Sequence, residues 1–195
     1  MHENSASRSI KIKYQLPPVV ASLQAGWLSS FQSAAAVSAL LAGLAGQLLV
    51  FMKDPNNFPN HTSTGARTFL LLLSYSAVVL NSSATITSLI LTDKIGELPV
   101  RASMKSCMKS GLPDSGTDTI ETTSTGLLRR YGVGALWSCT IWHWFICLLA
   151  GIWCIMLQIL TYIFLQESEV VSITMAFIIG FATLPLLVFL YSGVS

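Results

Sequence analysis

Charge is what this chain has least of. Only 10% of its residues are Asp, Glu, Lys or Arg, against about 25% in an ordinary soluble domain. With 52% hydrophobic residues, it lacks the polar surface a soluble fold needs to cover one core. A bilayer removes that need, and the mean hydropathy of +0.63 points the same way. The net charge is +2, and the basic residues group by position along the chain, not on a nucleic-acid-binding face, which excludes a nucleic-acid partner.

Other absences narrow the field. The four cysteines (Cys107, Cys139, Cys147, Cys154) form no C-x-x-C pair and none falls in an expected outside loop, so a disulfide framework is excluded. Haem held across a helix bundle wants paired histidines on facing helices. His2, His61 and His143 do not supply them, and no cofactor is expected. No Asp, Glu, Lys or Arg lies within Ser33–Met52, Thr68–Thr92, Phe145–Leu165 or Val170–Tyr191. Ion-coupled transporters and proton relays use such residues at membrane depth, so their absence counts against those classes.

What is present is four apolar runs lying between and beyond two basic clusters. One cluster is Arg8, Lys11 and Lys13; the other is Lys94, Arg101, Lys105, Lys109, Arg129 and Arg130. Basic residues near a span stay cytosolic. The pattern predicts an all-α integral membrane protein, a four-transmembrane-helix bundle with N and C termini cytosolic, in the plasma membrane or a secretory-pathway membrane. Residues 1–16 read as a mobile cytosolic tail, and 17–52 as an interfacial helix running into transmembrane helix 1, a signal anchor. An outside loop (53–67), transmembrane helix 2 (68–92) and a cytosolic basic and flexible segment (93–130) follow. The stretch 131–165 is too long for one crossing of about 20 residues, so it reads as an interfacial extension plus transmembrane helix 3. A short outside turn (166–169), transmembrane helix 4 (170–191) and a cytosolic tail (192–195) complete the chain.

Two patterns predict packing. Ala35, Ala39 and Gly43, with Ser38, Ala42 and Gly46, form small-residue ladders that let helix backbones approach. Ser74, Asn81, Thr85, Ser88 and Thr92 fall on one stripe of a helix and should face the interior, because polar groups in hydrocarbon need partners. Their structural reading is interhelical hydrogen bonding at roughly 0.6 kcal/mol per bond; their functional reading is a wet groove. The structural reading carries more weight, since polar side chains commonly join membrane helices. Gln47 and Gln158 could join Asn81 in an interior amide cluster.

Candidate chemistry is sparse. Cys139, His143 and Cys147 share a helical face with soft-metal ligand types, but the set lacks a fourth ligand. Asp93, Glu97 and His143 all fall near the expected cytosolic face, where a lipid-active enzyme would need them. No nucleophile, base and orienter stand together, so the reading leans away from an enzyme. Arg101, Lys105 and Lys109 recur every four residues and suit anionic lipid headgroups. Asn60-His61-Thr62 is a glycosylation acceptor sequence on the expected outer side. The expected function is a non-enzymatic scaffold, adaptor or lipid-associated organiser, with protein partners or a second copy of itself. The alternatives are a channel or transporter subunit using the polar face of transmembrane helix 2, and a lipid-active enzyme at the cytosolic face.

Overall fold

The computed structural model describes residues 18–58, 63–101 and 136–192. Among them are four α-helices: α1 (Pro18–Lys53), α2 (Thr64–Gly96), α3 (Trp137–Gln166) and α4 (Glu169–Ser192). The 36 residues of α1 extend about 54 Å at 1.5 Å per residue, well beyond a hydrocarbon core of about 30 Å. Three helical stretches (Pro18–Lys53, Thr64–Arg101 and Trp137–Gln166) are long and apolar enough to cross a membrane, whereas Glu169–Pro185 of α4 is a shorter apolar helix. Large apolar side chains stand outward on all four helices, among them Leu40, Val79, Ile146 and Phe177. Apolar helices with such outer faces fit a membrane-embedded protein.

The helix ends follow from local chemistry. Pro18 opens α1, where its missing N–H costs nothing. At the other end Pro55 cannot continue the helix, and Asp54 Oδ1 accepts the Asn56 amide at 3.0 Å to start a 3-10 turn, Pro55–Asn57. The carbonyls left over at this end find donors: Asn57 Nδ2 reaches Phe51 O at 2.9 Å, and Arg67 Nη2 reaches Lys53 O at 3.0 Å. Ser63 caps α2, its Oγ accepting the Ala66 amide at 3.3 Å. Only Glu167 and Ser168 separate α3 from α4, and Glu169 places an acid in the first turn of α4, favourable to the helix dipole.

The chain divides into two compact units, 1–32 with 89–141 and 33–88 with 142–195. In the first, Val20 and Phe31 of α1 are buried, as are Leu91, Ile95, Leu98 and Trp137. Phe31 stacks on Trp27 and meets Trp137 edge to face, with ring centroids 5.3 and 6.1 Å apart. Helical bonding runs past the end of α2, with Glu97 N on Asp93 O and Arg101 N on Glu97 O, both 3.0 Å. It does so in spite of Pro99, which has no N–H for the Ile95 carbonyl four residues back. Gln24 replaces that donor: its Nε2 lies 2.8 Å from Ile95 O.

The second unit packs on a narrow seam. Ala35, Ser38, Ala45 and Met52 of α1, Leu70, Ser74, Ala77, Asn81, Ala84 and Ser88 of α2, and Cys147, Ile155 and Gln158 of α3 are buried. Spacings of three, four, seven and eight put each set on one helical face. Ala45, Ala77 and Ile155 form its apolar centre, flanked by Leu41, Leu48, Val78, Cys154 and Ile159. The small-residue ladders of α1 are used only in part. Ala35 and Ser38 are buried, but Ala39 and Gly43 face outward, and a Cβ at Gly43 or Gly46 would meet nothing within 4 Å. At the α3–α4 end, Gln166 Nε2 donates to Asn57 O at 2.7 Å and Tyr162 meets Phe51 and Phe58 edge to face.

Gln24→Leu should lower the thermal midpoint in detergent, since an unpaired buried carbonyl costs about 1–3 kcal/mol. Pro99→Ala in the same chain should recover most of that loss by restoring the N–H. Additive effects in this double-mutant cycle would refute the replacement.

Candidate functional site

The polar stripe of α2 is the feature with most chemistry, and four of its five residues lie in the second unit. Ser74, Asn81 and Ser88 are fully buried and Thr85 is partly so. Most of them bond back to their own helix. Ser74 Oγ donates to Leu70 O at 2.9 Å, and Asn81 Nδ2 to Ala77 O at 2.8 Å. This back-bonding is the cheapest way to hold a hydroxyl or amide in an apolar setting.

One bond crosses between helices. Ser38 Oγ of α1 and Thr85 Oγ1 of α2 are 2.8 Å apart. Each also lies near a carbonyl of its own helix, Ser38 by Ala34 O at 2.7 Å and Thr85 by Asn81 O at 2.9 Å. Two hydroxyls carry two hydrogens, so one spans the seam and the other stays on its own helix.

Helices α2 and α3 approach closely at Gly151. A Cβ built on Gly151 would lie 2.6 Å from Asn81 Nδ2 and 2.9 Å from its Oδ1. No side chain fits there, so the Asn81 amide rests on the Gly151 backbone. Asn81 Oδ1 has no hydrogen-bond donor. The amide cluster expected from the sequence does not form as drawn: Gln47 is exposed, while Gln158 is buried.

A second group lies on α2 and α3 of the same unit. His143 Nε2 is 3.2 Å from Ser83 Oγ and 3.6 Å from Cys147 Sγ, and Cys147 Sγ is 3.8 Å from Ser83 Oγ. His143 is exposed and Cys147 buried. The helical spacing of His143 and Cys147 was legible; Ser83, from another helix, was not. Cys139 is exposed and belongs to the other unit. No group of three or more His, Cys, Asp or Glu able to hold a metal occurs among the described residues.

Of the other candidates, Asp93, Glu97 and Thr92 lie in the first unit. Asp93 is exposed. Glu97 Oε2 receives Arg101 Nη2 at 2.6 Å and Nε at 3.0 Å, a forked ion pair one helical turn long. Both side chains are largely solvated, so the pair adds little stability. Thr92 Oγ1 is buried without a partner. Asn60, Lys105 and Lys109 lie outside the described residues, as do 1–17 and 102–135.

The basic residues at the opposite end of the helices are engaged. Lys53 Nζ stands 5.6 Å from the Tyr75 ring centre, and the Arg67 guanidinium 5.7 Å from that of Phe58. No protein-family model, curated protein or solved structure matches the chain.

Gly151→Ala should destabilise the protein by about 1–3 kcal/mol, the usual cost of overpacking a closed contact. Asn81→Ala in the same chain should relieve most of that, since it removes the amide the new methyl strikes. Melting of both single variants and the double variant checks the coupling; a Gly151→Ala protein as stable as the parent would mean the helices do not meet there.

Proposed function

We propose that this is a non-enzymatic multi-pass membrane protein, a scaffold, adaptor or lipid-associated organiser, with four transmembrane helices and both termini cytosolic. The observation that carries this reading is the closure of the α2 stripe: Ser74 and Asn81 are fully buried and bonded to their own helix, and Ser38 and Thr85 to each other. Groups spent in this way leave few donors or acceptors for a solute, and the Ser38–Thr85 bond joins α1 to α2. The outward faces of the helices are apolar, which suits contact with lipid chains or with other membrane helices. An apolar groove of about 480 Å³ between α3 and α4, walled by Phe164, Ile173, Phe177, Phe181 and Leu184, has the chemistry of an acyl chain.

The orientation rests on charge. Arg8, Lys11 and Lys13 and the Lys94–Arg130 cluster would face the cytosol. Lys53 and Arg67 are the basic residues on the other side; Lys53 lies over the Tyr75 ring of α2, and Arg67 reaches the Lys53 carbonyl and the Phe58 ring. On this topology Asn60 is on the outer face of a plasma or secretory-pathway membrane, and Arg101 with Lys105 and Lys109 meets anionic headgroups on the inner one.

The second reading is a channel or transporter subunit. It draws on Ser88 Oγ and Gln158, buried polar atoms of the same seam that have no protein partner.

Single cysteines at Ser74, Thr85 and Ser88, in a background without the native cysteines, separate the two. The scaffold reading expects no labelling by a membrane-impermeant thiol reagent; labelling along the whole stripe would favour the channel. For topology, a glycosidase-sensitive mobility shift lost in Asn60→Gln is expected in a eukaryotic host, together with protease-accessible tags at both ends on the cytosolic side. Protection of both tags would reverse the orientation, and protection of one alone would overturn the count of four spans.

A further inference from the structure

Among the described residues, only Gln158 has both the nitrogen and the oxygen of its amide buried without a hydrogen-bond partner, and the residue is fully enclosed. The Ser74 and Thr85 hydroxyls and the Asn81 amide nitrogen bond to carbonyls of their own helix. Gln158 does not, and a neutral amide left bare in an apolar interior is too costly to be idle.

Its level in the seam follows from the register of α2 against α3, which run antiparallel. Asn81 of α2 meets Gly151 of α3. Four residues on, Ala77 clusters with Ile155. Three residues further in the same sense, Ser74 comes to the level of Gln158, and both are fully buried. The Ser74 hydroxyl hydrogen is committed to Leu70 O, which leaves its lone pairs free to accept.

The orphaned groups also define what they would bind. Gln158 offers two donors and an acceptor, and Ser74 an acceptor. An anion would meet no cationic side chain, and a cation would meet donors as well as acceptors. A small neutral molecule that both donates and accepts fits this mixture, and complete enclosure of Gln158 limits its size. Water has that chemistry, and buried waters in proteins satisfy polar groups of this kind. We propose that Gln158 anchors an internal hydration site between α2 and α3, with water bridging its amide to the Ser74 hydroxyl. The site is closed: its water is structural, and it does not require the stripe to be open to bulk solvent.

The test is nuclear magnetic resonance of the full chain in lipid nanodiscs, deuterated and carrying nitrogen-15 in glutamine side chains. The Gln158 signal is assigned by its loss in Gln158→Met, or in Gln158→Ala should the first variant not fold. The expected result is a through-space cross-peak between water and the Gln158 amide protons, reduced at least twofold in Ser74→Ala. No water cross-peak in the parent protein overturns the site, and an undiminished one in Ser74→Ala overturns the bridge. This outcome is independent of the thiol labelling, which reads access from bulk solvent and not the presence of a trapped molecule.

Discussion

A helix in hydrocarbon has no water to fall back on, so every carbonyl it leaves open must be met by another protein group. The positions that matter most in this protein are the places where that accounting nearly fails. Pro99 takes away the donor for Ile95 O, and Gln24, far away in sequence, supplies another. The last carbonyls of α1 lose their helical donors at Pro55, and Asn57 and Arg67 supply theirs. In each case a polar side chain closes a gap in the backbone ladder.

The same rule shapes the seam of the second unit. Its side chains are small or polar: Ser38, Ala45, Ser74, Ala77, Asn81, Ser88. Small groups let the helices approach, and between helices suited to lipid, close van der Waals contact takes the place of hydrophobic driving force. Asn81 shows how the two demands meet. Its amide nitrogen is bonded within α2, and its flat face lies on a glycine, the one residue that gives room. The seam is then held by shape at Gly151, by one shared hydroxyl hydrogen at Ser38 and Thr85, and by an apolar layer at Ala45, Ala77 and Ile155.

The all-helical character and the long apolar helices were legible because both are one-dimensional. They depend on run length and on the near-absence of charge, and each can be read without a partner. The amphipathic spacing of Ser74, Asn81, Thr85 and Ser88 was legible for the same reason. Partners were not. The ladder through Gly43 and Gly46 looked like a packing face, yet Gly151, alone in an apolar helix with no motif around it, is where a backbone comes close. Ser83 carried no signal linking it to His143, and Gln47 resembled Gln158 in type and setting although one faces out and the other in.

The sequence by itself determined that the chain is helical and suited to a membrane, since composition and periodicity act along the chain. Tertiary structure alone decided which turn of each helix faces which neighbour. That choice fixes that Gln24 covers Ile95, that Asn81 sits on Gly151, and that Gln158 is enclosed with its amide unmatched. The reason is geometric: helical period specifies a face, but the rotation and axial offset between two helices are set only when both surfaces are packed together.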